Sequence, residues 1–337
     1  MAKTERPRLL ITMGDVAGIG PEIIARAWPE LQTVCRPIVV GDPLWLGRAC
    51  QLVGMAAQIV PVRQPTEVEA SVVIMPCLAG SGQDLRGVVP GQVGAAAGRA
   101  AYDFLCTAID RTMAHEADGI VTAPLHKSGL YAAGLHYPGH TEILAERTGT
   151  RAFGMMLYAR GPSVPHGLGV VHVTLHMALR EVFANLSSAA ILEKILLLRA
   201  VLHRLAGREP RLAVAALNPH ASDGGLFGDE EETIIAPAVR RALTTGAVVS
   251  GPWPCDTLFV RAQRGEFDGV VAMYHDQGHI AMKLLSGLAA VNISVGLPIV
   301  RTSVAHGTAY DIAGQGRADH RSLVEAARVA AMLAKTR

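Results

Sequence analysis

Short aliphatic and β-branched runs alternate along this chain with longer stretches whose apolar residues recur every three to four positions, a pattern that predicts an α/β fold. Arg8 to Thr12 (RLLIT) reads as a buried strand, followed by a Gly-rich loop and a helix opening at Pro21-Glu22, where proline and an acidic residue suit a first turn. Pro37 to Val40, Val72 to Met75 and Gly119 to Thr122 read as further strands. The Gly-rich segment from Gly80 to Gly94 reads as a loop, and Gly94 to Ala114 as a helix. In the second half, Phe153 to Tyr158, Gly169 to Thr174, Leu212 to Leu217, Gly269 to Met273 and Val291 to Val295 read as strands. Ser187 to Leu205 predicts a long apolar helix, suited to a core or a dimer interface, and Ser322 to Ala334 a closing helix. With no internal repeat and no low-complexity linker, the expected domains interleave rather than follow in tandem.

Composition narrows the class. Of 337 residues, 50% are hydrophobic, 18% charged and 4% aromatic, which favours tight helix-on-sheet packing over a β-sandwich. A formal charge of +2 with no long basic run gives nucleic acid or a membrane surface no electrostatic foothold. The cysteines, Cys35, Cys50, Cys77, Cys106 and Cys255, are scattered and form no Cys-x-x-Cys, so neither a disulfide framework nor a thiolate zinc site is expected. The polar start, Met1 to Arg8, carries no leader pattern, and no apolar stretch is long enough to span a bilayer. The expected location is the cytoplasm.

The candidate chemistry begins with histidine, of which the chain has 13. His176, His220 (LNPHA) and His275 (YHDQG) each follow a predicted strand, where α/β folds gather ligand-binding residues. One such imidazole is ordinarily a hydrogen-bonded core or loop residue. Three at equivalent positions make a divalent-metal set at even odds. His172 and His279, each four residues from one of these, are second choices, and Gly278 argues against a helix around His275. A second group, His140, Thr141 and Glu142 with Lys283, Asn292 and Arg301, offers a hydroxyl, an amide and two cations to phosphate or carboxylate oxygens. The loop from Met13 to Glu22 lacks both the Gly-x-Gly-x-x-Gly spacing and the Gly-Lys-Ser/Thr of a P-loop. The segment from His306 to Gly316 has the small residues that let a backbone approach a ligand.

Taken together, GDVAGIGPE, APLHK, YPGHTE, NPHASDGG, PCDTLF, YHDQGH and IVRTSVAHGTAYDIAGQG resemble the 4-hydroxythreonine-4-phosphate dehydrogenase (PdxA) family of vitamin B6 (pyridoxine) biosynthesis and its paralogues, in order and over essentially the whole chain. The resemblance implies an isocitrate/isopropylmalate dehydrogenase-like fold, not a Rossmann domain, with two interleaved α/β/α domains and a cleft. Residues 1–125 with 285–337 would form the nucleotide-binding side, and 126–284 the metal-binding and dimerisation side. It implies a metal (Zn, Mg, Mn or Co) on His176, His220 and His275, with one ligand from the partner subunit of a homodimer. It further implies substrate contacts from His140, Thr141, Asp256, Lys283, Asn292 and Arg301. By likeness to an adenosine-binding loop, NAD or NADP is expected at His306, Gly307, Thr308, Ala309, Asp311 and Gly314.

The expected reaction is oxidation of a small phosphorylated hydroxy acid, with loss of carbon dioxide from the β-keto acid product. Lys127, Asp256 and Lys283 are the candidates for relaying the hydroxyl proton, and Glu142 or Asp276 for orienting a ligand imidazole. Val16 replaces a proline common in the family loop, and His126 stands where some relatives have Asn. The YPGHTE and GLFGDEE spellings lean towards paralogues acting on 4-phospho-threonate or 4-phospho-erythronate. The alternatives are a terephthalate-type cis-dihydrodiol dicarboxylate dehydrogenase of the same family, a metal-dependent hydrolase or lyase without nicotinamide, and an idle binding protein that kept the fold.

Overall fold

The computed structural model of the chain describes residues 6–287 and 290–336. Two compact units emerge, one formed by 1–151 with 297–337 and the other by 152–296. The boundaries thus fall at 151/152 and 296/297, not at 125/126 and 284/285. The reason is packing: the helices Lys127–Ala132 and His140–Thr148 lie against the helix Ala95–Met113 of the first unit. The strand Val291–Val295 pairs inside the second.

The first unit is a parallel sheet of β1 (Arg8–Thr12), β2 (Arg36–Gly41), β3 (Gln58–Val62), β4 (Ile74–Ala79), β5 (Gly119–Thr122) and, from the end of the chain, β12 (Arg301–Val304). Their spatial order is β3-β4-β2-β1-β5-β12. In β1 and β5 nearly every residue is buried, as expected of parallel strands covered on both faces. The helices Gly20–Val34 and Arg321–Ala334 pack together, the second also on β12. Close approach elsewhere is bought by glycine: a Cβ on Gly98 of the helix Ala95–Met113 would overlap the Gly129 carbonyl of the neighbouring helix.

The second unit contains β6 (Gly154–Gly161), β7 (Val164–His172), β8 (Arg211–Ala215), β9 (Val248–Trp253), β10 (Gly269–Ala272) and β11 (Val291–Val295), ordered β11-β6-β7-β10-β8-β9. β6 runs antiparallel to both β11 and β7, and the rest are parallel. The helix Ser188–Ala206 turns Ile191, Ile195, Leu198, Val201 and Leu202 inward. Each such aliphatic side chain contributes about 1.5–3 kcal/mol on burial. Ser187 caps its start by accepting from Ala190 N, and Gly207, at φ 66°, ends it.

Three strands, β3, β9 and β12, are absent from the sequence reading. Gln58–Val62 carries Pro61, and Val248–Trp253 carries Gly251 and Pro252, residues that ordinarily break a strand. Both lie at sheet edges, where proline is tolerated. The strand expected at Val72 to Met75 begins instead at Ile74. A helix does cover His275–Ser286, despite Gly278.

One device starts a parallel strand pair in each unit. Asp118, just before β5, accepts from Arg8 N at 2.7 Å and donates its own N–H to Arg8 O at 2.8 Å. Asp268, just before β10, does the same with Arg211, at 2.8 Å in both directions. Asp268 is almost fully buried and also binds the Arg208 guanidinium at 2.7 and 2.9 Å. Burial alone would raise its carboxyl, yet the two arginines and the Arg211 amide outweigh that and hold it at about 2 against an ordinary 3.8. Because the folded value lies below the unfolded one, this stabilisation is complete above pH 3.8 and disappears as the pH falls through about 2. Asp268→Ala is therefore expected to cost roughly 2–3 kcal/mol in urea unfolding at pH 7. The gap from the parent protein should close by pH 2; a gap of the same size at both pH values would contradict this account.

Candidate functional site

The second unit assembles a histidine cluster from two strand ends. β7 finishes at His172, which is buried, and the chain turns out through Thr174, whose Oγ1 donates to Met273 O at 2.8 Å, to the exposed His176. β10 leads through Tyr274 into the helix His275–Ser286. Gly278 is what lets this helix lie on β7, since a Cβ there would overlap His172 Nε2. The glycine that argued against a helix is its packing contact. As a result His279 Nδ1 sits 3.2 Å from His172 Nε2, the rings of His275 and His279 stack at 3.8 Å, and His176 lies 5.7 Å from His275. The second choices, His172 and His279, thus stand beside two of the first. Burial, with the neighbouring imidazoles adding to it, pushes His172 down to about 3 and His279 to about 4, so both are neutral at physiological pH. His275 Nδ1 is 2.7 Å from Asp276 Oδ1, which orients the ring.

His220 is presented differently. After β8 the chain enters a turn in which His220, Ala221, Ser222 and Asp223 all have positive φ, from 47° to 71°. Non-glycine residues held there cost of order 1–3 kcal/mol each, so something must fix them. Glu231 does so. Its buried carboxylate accepts from Leu217 N at 2.8 Å, Asn218 N at 2.7 Å, Asn218 Nδ2 at 3.0 Å and Ser222 Oγ at 2.9 Å. Burial pulls the Glu231 carboxyl upward, but these donors bring it below its ordinary value. The His220 ring is exposed, 6.3 Å from Phe227. Among the described residues no three His, Cys, Asp or Glu side chains of one chain converge as a metal-holding group. His176 and His275 are brought together; His220 stands on its own turn.

Of the remaining residues in this unit, Asn292 is partly buried in β11, with Oδ1 lacking a hydrogen-bond partner among the described residues. Lys283 is exposed, one turn beyond His279. Asp256 is exposed at the start of the helix Cys255–Gln263, beside a groove of about 430 Å³ whose wall includes Val260, Ile280 and Leu284. These three side chains are 46%, 57% and 82% exposed.

In the first unit, Arg301 opens β12 and is 2% exposed, with Nη2 donating to Thr122 Oγ1 at 2.6 Å across the strand pair. Burial lowers its guanidinium to about 9, against the opposing pull of Glu142. Arg301 and burial together push His140 well below its ordinary value. The first turn of the helix His140–Thr148 places His140 and Glu142 within electrostatic reach of the arginine. Lys127 is exposed at the start of its own short helix.

The His306–Gly316 segment packs on the N-terminal loop. Ile19 N donates to Thr308 O at 3.0 Å, and Tyr310 donates to the fully buried Asp15 at 2.8 Å. His126 stacks on the Tyr310 ring at 4.5 Å. Asp15, Tyr310 and Glu231 escaped the sequence reading as site residues. The signal for Asp15 and Glu231 was an acidic residue inside a Gly-rich segment, GDVAG and GLFGDEE, which spacing alone does not resolve into a buried anchor.

A chain of two α/β units, with its ionisable groups gathered at strand ends and following turns, has the build of a small-molecule enzyme. It belongs to the PdxA family: the family model described as pyridoxal phosphate biosynthetic protein PdxA matches residues 33–330. A 4-hydroxythreonine-4-phosphate dehydrogenase from Desulfosudis oleivorans is 47% identical over 95% of this chain and 94% of its own length. A D-threonate 4-phosphate dehydrogenase from Cupriavidus necator is 45% identical over 98% of both. The crystal structure of a 4-hydroxythreonine-4-phosphate dehydrogenase from Klebsiella pneumoniae superposes with a TM-score of 0.86 at 38% identity, covering 97% of this chain and 99% of that one. The fold alone extends to a β-decarboxylating dehydrogenase from Thermococcus kodakarensis, with a TM-score of 0.50 at 12% identity over 94% and 80% of the two chains. The family resemblance read from the motifs is borne out. No helix among the described residues is long and apolar enough to cross a membrane.

Glu231→Ala is expected to lower stability by at least about 3 kcal/mol, because it strips four donors of a charged acceptor. Glu231→Gln should recover part of that loss in denaturant unfolding. An unchanged midpoint in both variants would show that the left-handed turn does not depend on this carboxylate.

Proposed function

We propose that this chain is a nicotinamide- and divalent-metal-dependent dehydrogenase. Its substrate is a small phosphorylated hydroxy acid of the 4-hydroxythreonine 4-phosphate or 4-phospho-threonate/erythronate type, and the β-keto acid product loses carbon dioxide. The observation that carries the reading is Arg301, a buried guanidinium at a strand end with His140 beside it. A desolvated fork of N–H donors suits a phosphate or carboxylate group. The names of the similar enzymes, which specify phosphorylated hydroxy acids, support the same substrate class.

The donor chemistry suits a divalent cation on His176, His220 and His275. His275 has one ring nitrogen engaged by Asp276, which leaves the other for a metal. Among the described residues no three donors of one chain converge, and the reading takes one of them from a second copy. The exposed apolar wall of Val260, Ile280 and Leu284 supports a homodimer through that unit. When bound, the cation supplies Lewis acidity at the substrate hydroxyl.

The protein's own groups do the rest. Arg301, His140, Thr141, Lys283 and Asn292 hold the anionic substrate, and Asp256 adds a polar contact. Lys127, Lys283 or Asp256 receives the hydroxyl proton as the C–H bond breaks and its electron pair leaves as hydride for the nicotinamide ring. The segment His306, Gly307, Thr308, Ala309, Asp311 and Gly314 holds NAD or NADP. In the decarboxylation that follows, the C–C electron pair moves into the adjacent carbonyl as carbon dioxide departs, and a proton quenches the resulting enolate.

The test is a panel of 4-hydroxythreonine 4-phosphate, 4-phospho-threonate, 4-phospho-erythronate and an aromatic dihydrodiol dicarboxylate, followed by NADH or NADPH absorbance. Turnover of a phosphorylated member is expected, abolished by chelation and restored by one of Zn, Mg, Mn or Co. Turnover of the dihydrodiol alone, or full activity after stringent chelation, would refute the reading. His220→Ala should remove activity while circular dichroism stays unchanged. Arg301→Ala should raise KM for the substrate roughly 30-fold or more, as expected when a buried charge pair is cut, with KM for the nicotinamide little altered. An equal loss of both would instead assign Arg301 a folding role.

A further inference from the structure

In the second unit β7, β10 and β8 are neighbours, and His176, His275 and His220 follow them in that order. Between β10 and β7 the backbone ladder runs on beyond the pair Ala272 and His172: Val173 N donates to Ala272 O at 2.8 Å and Thr174 N to Met273 O at 3.1 Å. The buried Thr174 hydroxyl donates to the same Met273 carbonyl, at 2.8 Å. Between β10 and β8 the last directly paired residues are Val271 and Val214. Two residues further along each strand, Met273 and Ala216 are joined instead through the side chain of Gln277. Its Oε1 accepts from Met273 N at 2.6 Å, and its Nε2 donates to Ala216 O at 2.7 Å. All three residues are buried.

The Gln277 amide supplies what a peptide group would, one acceptor and one donor, to two strands that no longer bond each other directly. Any buried glutamine that answers a backbone N–H and a carbonyl does that much for stability. Its place along the chain adds a second consequence. Met273 is two residues before His275, and Gln277 is two residues after it, in the first turn of the helix His275–Ser286. Ala216 is four residues before His220, and the stretch between them has little slack, because Glu231 holds both Leu217 N and Asn218 N. A shift of Ala216 is therefore passed on to the His220 turn, and a shift of Met273 to His275. Crevices at the carboxyl ends of neighbouring strands are where α/β folds hold their ligands. Here the separation of β8 and β10 at that end is set by a side-chain amide.

We propose that Gln277 is a positioning residue for the divalent-metal site, its amide fixing the turns that bear His220 and His275 relative to each other. The inference rests on the metal reading above. A ligand set binds tightly only when it is held to within about 0.5 Å of its productive geometry, which a bridge between rigid strand ends provides. Every copy of the chain carries the same bridge, so it bears on each ion whichever copy supplies which imidazole.

The experiment titrates the metal-free full chain with Co²⁺, reading affinity by calorimetry and ligand geometry by the visible absorbance of the bound ion. Urea unfolding of the same metal-free samples runs beside it. Gln277→Met keeps the length of the side chain and removes both hydrogen bonds. Gln277→Asn keeps the amide one methylene short of its two partners, and it carries the test where the methionine variant does not fold. Either variant should weaken Co²⁺ about 10–100-fold and alter its absorbance band. Asp268→Ala, at the opposite end of β10, lowers stability without touching the bridge and should leave both readouts as in the parent. That arm separates lost positioning from lost stability. Affinity and absorbance unchanged in folded Gln277 variants, or changed as much by Asp268→Ala, would overturn the proposal. A parent protein that binds no Co²⁺ ends the metal reading and this inference with it. Tight binding by the parent with indifferent Gln277 variants sinks the bridge alone.

Discussion

The charged side chains buried among these strands are held by partners, and the placement of Arg301, Asp15, Asp268 and Glu231 follows from those pairings. Arg301 leans on Thr122, Asp15 on Tyr310 and the Ala17 amide, Asp268 on the first residue of the neighbouring strand, and Glu231 on four donors. In parallel strands that are buried on both faces, an ionisable side chain is accommodated most readily at the first or last residue or just beyond it. The chemistry is accordingly found at those ends, and the interiors of β1, β5 and β10 are almost wholly aliphatic.

The same requirement explains why the site tolerates strain. Four consecutive non-glycine residues from His220 to Asp223 sit in the left-handed region, an arrangement costly enough to unravel unless it is over-determined. A salt bridge at the surface would be too weak for that task. Glu231 works because it is buried and because its donors are backbone amides of the turn's approach together with two side chains of the turn itself. Gly278 is the counterpart in the histidine cluster, where rigidity comes from close packing of a helix on β7 rather than from hydrogen bonds.

The strands that carry the site were legible because buried parallel strands announce themselves as uninterrupted aliphatic runs. RLLIT and GIVT match β1 and β5 residue for residue, and VNISV matches β11. Edge strands with Pro61 or Pro252 were not, since the feature that identifies them is their place at the rim of a sheet, a tertiary fact. His140 and Glu142 could be grouped with Arg301 by chemistry, and in the fold their electrostatics are coupled to it. The partnership of Tyr310 with Asp15, separated by 295 positions, has no local signature at all. Gly278 was misread for a related reason: helix propensity counts glycine as a cost of about 1 kcal/mol, whereas contact with His172 on another element decides its use.

The two units divide the electrostatic work by sign. Arg301, even lowered to about 9, keeps its proton at neutral pH, so the first unit presents a fixed positive charge stripped of most of its water. Such a charge is costly alone and attracts an anion far more strongly than an exposed lysine would, because the desolvation has already been borne in folding. An anionic ligand would in turn draw the guanidinium back towards its ordinary value, so ligand charge and protein charge support one another. The second unit does the opposite. Burial and mutual proximity keep His172 and His279 neutral, which removes the repulsion that a cluster of imidazolium ions would direct at a cation. On the proposed reading, a protein holding an anionic substrate and a divalent ion would benefit from building the first site around arginine, which cannot readily lose its charge, and the second around imidazoles that cannot readily gain one.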